Sequence, residues 1–275
     1  MNWKSIFTIA KKDIYEARQN QSVWLPIMIV PIIFVLVMPL AMIIVASNPD
    51  LGKQMTSDPQ IMQIMAKLPA YMKSVTQGLD NIQSVLVLAL GYFFAPYFLI
   101  LPIMFATVIA SESFAGERER KTIEALLYTP ATDAELFLGK VCASLIPAIL
   151  ITWGSFIGYT IVLDVGGYGL MGRLWFPLTN WYPLIFWVSP ALSLLGVSAT
   201  VLISSKLQTF MGAYQTSASL VLLVIALFVG QLTGVLYLSS FVSLLLGVAL
   251  FLVDAGLCWL AVRTFNRSKI LASVN

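Results

Sequence analysis

Long apolar runs separated by short polar segments dominate the chain, and crossing about 30 Å of hydrocarbon takes about 20 such residues. Six runs reach that length: residues 23–46, 85–110, 141–163, 181–204, 212–232 and 239–262. Each predicts a helix, because backbone in lipid must satisfy its own hydrogen bonds. The first run carries Pro26, Pro31 and Pro39. It exceeds a signal-peptide core of about 7–15 residues, so it reads as a retained anchor. Between Lys206 and Arg263 the only charge is Asp254. Those residues, about 56 of them, would extend about 84 Å as helix, more than two crossings use. The surplus predicts short re-entrant or interfacial helices near the turn signals Gly230, Thr233, Gly234 and Ser239-Ser240.

Two further segments have helical periodicity without spanning length. Trp3, Ile6, Phe7, Ala10, Ile14 and Ala17 recur at helical spacing, with Lys4, Lys11, Lys12, Asp13 and Arg18 on other faces. This predicts an interfacial helix within residues 1–20. Ile61, Ile64, Met65, Leu68 and Met72 repeat the pattern in the longest hydrophilic loop, about Ser47 to Gln83. Either helix could anchor passively or take part in gating. With no internal repeat evident, the chain reads as one all-α, polytopic membrane domain over residues 1–275.

Composition agrees with that class. Hydrophobic residues make up 59% of the chain and mean hydropathy is +0.88, beyond the roughly 45–50% apolar content of soluble domains. With the N-terminus inside, the inner segments hold Lys4, Lys11, Lys12, Arg18, Arg118, Arg120, Lys121, Lys140, Lys206, Arg263, Arg267 and Lys269. The outer segments hold only Lys53, Lys67, Lys73 and Arg173. That bias places both termini in the cytoplasm. The net charge of +3 reflects these flanks and gives no reason to expect nucleic acid. Cys142 and Cys258 fall inside spans and read as buried thiols, not a disulfide framework. The absence of histidine removes His-based proton relays and the commonest transition-metal ligand, and no metal site is assigned. Trp175, Trp181, Tyr182 and Trp187 gather near the outer end of the fourth span, as an interfacial belt would.

The densest polar feature runs from Glu112 to Glu124, between two uncharged spans in a chain with 11% charged residues. Glu117 and Lys121 stand i, i+4, as do Arg120 and Glu124, while Ile123, Leu126 and Leu127 form an apolar edge. Pro130 ends the helix, and Thr132 with Glu135 form a capping box that opens the next one. The pattern predicts a short cytoplasmic helix over 113–130, a sharp break, and re-entry into the membrane. Such a helix is either a solvated loop kept out of lipid by its charges or a docking element. Charges at Glu117, Arg118, Glu119, Arg120 and Glu124 are expected to be exposed and to serve docking more than folding. Asp254 lies within the last span, where ionisable groups are expensive and usually functional. It either pairs with Arg263 or backbone donors near the inner interface, or takes part in ion or substrate coupling.

The run from Glu117 to Leu127, followed by Thr129-Pro130, Glu135 and Gly139-Lys140, resembles the signature of ABC-2-type transporter permeases, in particular their sodium-extrusion-like branch. The amphipathic N-terminal helix, the long first outer loop, and Ser204-Ser205-Lys206 followed by Gln215 match that layout. Lys121 stands where many members have Gly. The resemblance implies six spans, a second permease subunit (the same or a homologous chain), and two cytoplasmic ABC ATPase subunits. It also implies a coupling helix after the second span, carried here by Glu117, Arg118, Glu119, Arg120, Lys121, Glu124, Leu126, Leu127 and Pro130. The chain lacks a Gly-x-x-x-x-Gly-Lys-Ser/Thr phosphate loop, so no catalytic residue or cofactor is assigned to it. ATP and Mg would sit on the partner. The expected protein is the permease subunit of an ATP-driven exporter in the cytoplasmic membrane. The alternative is an ion-coupled secondary transporter using Asp254. A membrane-embedded enzyme would want clustered acids, histidines or a nucleophile near one face, which the spans lack.

Overall fold

The computed structural model describes residues 2–66, 74–120, 122, 131–207, 209–233 and 235–264. Leu68, Met72, Arg267 and Lys269 lie outside the described residues, as do Lys121, Glu124, Leu126, Leu127 and Pro130 of the expected coupling helix. Among the described residues all regular structure is helical. The elements are α1 (Trp3–Gln19), α2 (Gln21–Ser47), α3 (Pro49–Ser57), α4 (Pro59–Ala66), α5 (Asn81–Glu119), α6 (Asp133–Met171), α7 (Trp181–Ser204), α8 (Phe210–Leu232) and α9 (Ser240–Arg263). Six of these, α2 and α5 to α9, are long and apolar enough to cross a membrane.

Local chemistry sets the helix ends. Asn2 accepts from the Lys4 amide at 3.0 Å, and Asn20 ends α1 while capping α2 through the Ser22 amide at 3.0 Å. Asp80 with Gln83, and Thr132 with Glu135, close reciprocal capping boxes at the starts of α5 and α6. Gly172, with φ +65°, supplies the left-handed residue that stops α6.

Several expected boundaries shift. α5 does not end at Ala110 but continues through the charged block to Glu119, with a π segment at Glu112–Gly116. α6 runs 39 residues to Met171, taking Asp164 inside a helix. At 1.5 Å per residue that is about 58 Å, long enough to stand clear of the hydrocarbon. Asp164 then accepts from the amides of Trp175 and Phe176, both at 3.0 Å, and folds the following loop back on the helix. After Lys206, the described residues contain no extra short helix. α8 and α9, of 23 and 24 residues, absorb the surplus, with α8 interrupted at residues 219–220.

α5 and α7 form the mostly buried centre, with α6 packed beside them, while α2, α8 and α9 leave most of their apolar side chains exposed or half-buried. Exposed Leu, Ile and Val on the outer helices suit contact with lipid tails. One expected belt residue instead lies inside. Trp181 is 0% exposed, ringed by Phe98, Tyr159 and Phe176 at centroid distances of 5.4, 5.3 and 4.9 Å. Its indole N–H donates to the Gly91 carbonyl at 2.7 Å, and the Tyr159 hydroxyl donates to Leu90 at 2.8 Å. Both carbonyls belong to the π segment Ala89–Phe93, where side chains interrupt the regular helical ladder. A buried indole needs such a partner, so Trp181 is a core residue, while Tyr182 and Trp187 remain exposed.

Candidate functional site

The end of α5, the start of α6 and the inner face of α1 meet around one fully buried ammonium. Ile6, Ile9, Ala10, Asp13 and Ala17 form the inward stripe of α1, so Asp13 lies on the apolar face and not on another face as expected. Close approach of α1 to α6 depends on Gly139, where a Cβ would stand 2.8 Å from Ile9 Cγ2 and 3.2 Å from the Ile6 carbonyl oxygen. The next residue, Lys140, is 0% exposed. Its Nζ donates to Glu117 Oε2 at 2.5 Å, the Ser113 carbonyl at 2.6 Å and Asp13 Oδ2 at 3.1 Å. The Ser113 hydroxyl donates to the same Asp13 oxygen. Lys12 reaches the other oxygen of Glu117 and pairs with Glu16 at 3.2 Å.

Charge balance explains why this burial is tolerated. Two carboxylates, Asp13 and Glu117, face two ammonium groups, Lys12 and Lys140. A buried ion costs several kcal/mol unless its partners and hydrogen bonds are in place. Partial burial works against the charge on Lys12, but the Glu117 hydrogen bond and the carboxylates of Glu117, Asp13 and Glu16 outweigh it and raise its pKa. Asp13, Glu16 and Glu117 lie close enough together to suit a metal. Lysine ammonium groups already pair with all three, which argues for a salt-bridge knot and against an ion site.

Further ties make the end of α5 a junction. Glu112 accepts from the Asn20 side-chain Nδ2 at 2.9 Å and from Arg120 at 2.7 Å, inside a π turn where a Cβ on Gly116 would stand 2.7 Å from the Glu112 carboxylate. Arg118 donates to the Ser204 carbonyl at the end of α7, at 2.7 Å. Glu119 accepts from the Phe210 amide at 2.7 Å, placing negative charge at the start of α8. Glu135 accepts from the Asn2 amide at 2.5 Å, fastening the far end of α1 to α6. Nine consecutive residues, 112–120, thus engage α1, α6, α7 and α8.

The family model described as ABC-2 family transporter protein matches residues 7–264, nearly the whole chain. The chain belongs to the ABC-2 transporter family. It is a multi-pass membrane permease component of an ABC transporter. No curated protein matches it.

Within this permease, the charged segment sorts differently from expectation. Glu117 is 1% exposed and holds Lys140, so it is a buried structural charge and not an exposed docking residue. Arg118 is half-buried and bound to α7, whereas Glu119 and Arg120 are exposed. Arg120 pairs with Glu112. Asp13, Ser113 and Lys140 complete the knot, although the sequence had not marked them as site residues. Asp254 departs from one of its two expected readings, pairing with Arg263 or backbone donors. It is 1% exposed, neither carboxylate oxygen has a hydrogen-bond partner among the described residues, and Arg263 lies over the Trp259 ring at 3.7 Å. The two thiols are half-buried, Cys258 within 3.3 Å of the Ser198 hydroxyl.

Proposed function

We propose that this permease is the membrane subunit of an ATP-driven exporter, and that residues 113–130 couple it to a separate ATPase. The observation that supports this is the junction at residues 112–120: a push on this segment is passed to α1 through Glu117, to α6 through Lys140, and to the α7–α8 connection through Arg118 and Glu119. The exposed Glu119 and Arg120 lead directly into Lys121, Glu124, Leu126, Leu127 and Pro130, which would form the docking surface. ATP and Mg would be held by two cytoplasmic ATPase subunits, with a second permease subunit completing the path. The Lys and Arg bias supports a cytoplasmic position for α1 and this segment. Placement in the sodium-extrusion-like branch rests on the motif resemblance. The alternative, an ion-coupled mechanism through the buried Asp254, has less support because the family match favours an ABC transporter.

Co-purification with the ATPase tests the docking surface. Leu126→Asp with Leu127→Asp should strip its apolar anchor, and loss of interface anchors costs about 2–4 kcal/mol. The variant should stay monodisperse while the ATPase bound per permease falls more than tenfold. Wild-type ATPase recovery would refute the assignment.

A further inference from the structure

α1 has two working faces. The inward one carries Asp13 and the knot. The outward one exposes Trp3, Phe7 and Tyr15 at 62%, 63% and 63%, interleaved with Lys4, Lys11 and Arg18. Those three cations stand seven residues apart, so they line one side of the helix with only a slow drift. None of them has an ion pair among the described residues, whereas Lys12, one position from Lys11, turns inward to Glu117.

A groove opens beneath this face. It has a volume of about 190 Å³ and is lined by Ile14, Val23, Ile27, Ile109 and Ile151, with Arg18 and Trp24 also on its wall. A second, more open hollow shares Ile14 and Arg18 and adds Thr8, Lys11, Lys12 and Tyr15. Cations without partners therefore adjoin an apolar slot bounded by α1, α2, α5 and α6. A free anion would fill the mouth and leave the slot empty, whereas a neutral lipid would leave the cations unmatched. We infer that this is a binding site for one anionic phospholipid of the leaflet on the α1 side, with its phosphate on Lys11 and Arg18 and an acyl chain in the groove. The bound lipid would brace α1 from outside while the knot holds it from inside.

The test titrates the full-length protein in detergent with phosphatidylglycerol or phosphatidylcholine and counts bound lipid by native mass spectrometry. Phosphatidylglycerol should bind at least tenfold more tightly. A basic residue at an anionic surface contributes about fivefold in affinity. Lys11→Gln with Arg18→Gln should therefore weaken phosphatidylglycerol about thirtyfold, while Lys53→Gln, an exposed charge on α3, should change nothing. Ile151→Trp, which narrows the groove and keeps every charge, should also weaken it. Equal affinity for the two lipids, or unchanged binding in either groove variant, would overturn the site. Loss of ATPase co-purification by the double variant with lipid affinity intact would show that this face docks protein instead.

Discussion

Lys140→Met should unfold this protein more readily than any other substitution in the charged segment or its partners. The ammonium is enclosed and serves both Asp13 and Glu117, so its removal leaves two buried carboxylates sharing only the half-exposed Lys12. Breaking one buried pair by deleting a partner typically costs about 3–5 kcal/mol, a large share of a total stability of about 5–15 kcal/mol. The neutral triple variant Asp13→Asn, Glu117→Gln, Lys140→Met removes the three buried charges together, leaves the half-exposed Lys12 to Glu16, and should recover most of the loss. Chemical unfolding of the full-length variants in detergent reads both effects. If the triple variant were as unstable as the single one, charge balance would not be what holds α1 to α6. The same balance reverses the expectation for Glu117: its charge reversal should harm folding before it harms docking.

Trp181→Ala should be about as damaging for a different reason. Emptying a packed aromatic site typically costs about 3–5 kcal/mol, and the Gly91 carbonyl would lose its donor. Trp181→Phe keeps a ring and loses the N–H, so it should cost about 1–3 kcal/mol. Tyr182→Ala, at an exposed neighbouring position, should cost little. The unfolding assay separates these cases, and similar losses for Trp181→Ala and Tyr182→Ala would show that the aromatic cluster is not a core.

Hydropathy located the membrane helices because lipid imposes a length and a polarity that few other constraints override. Helix starts were legible where a side chain caps locally, as at Thr132 and Glu135. Orientation of single charges was not. Glu117 looks like a surface residue because its neighbours Arg118, Glu119 and Arg120 are charged, yet its partner Lys140 lies 23 residues away and Lys12 lies 105 away. A signal was nevertheless present in α1. Asp13 occupies the apolar phase of Ile6, Ile9, Ala10 and Ala17, and a carboxylate on an inward stripe calls for a buried cation. Gly139-Lys140 answered that call: one residue admits α1, and the next supplies the charge. Trp181 misled because a belt and a buried aromatic cluster use the same residue types, and only the position of the Gly91 carbonyl distinguishes them.

The central claim is that the knot carries movement from the ATPase-coupling segment to α1. A spin-label distance between Thr8→Cys on α1 and Lys206→Cys after α7 tests it, with Cys142 and Cys258 replaced by Ser and the co-purified ATPase bound. The account predicts a change in that distance when ATP and Mg are added to the otherwise wild-type permease, and its loss in the neutral triple variant with ATPase still attached. An unchanged nucleotide response in the triple variant would contradict it.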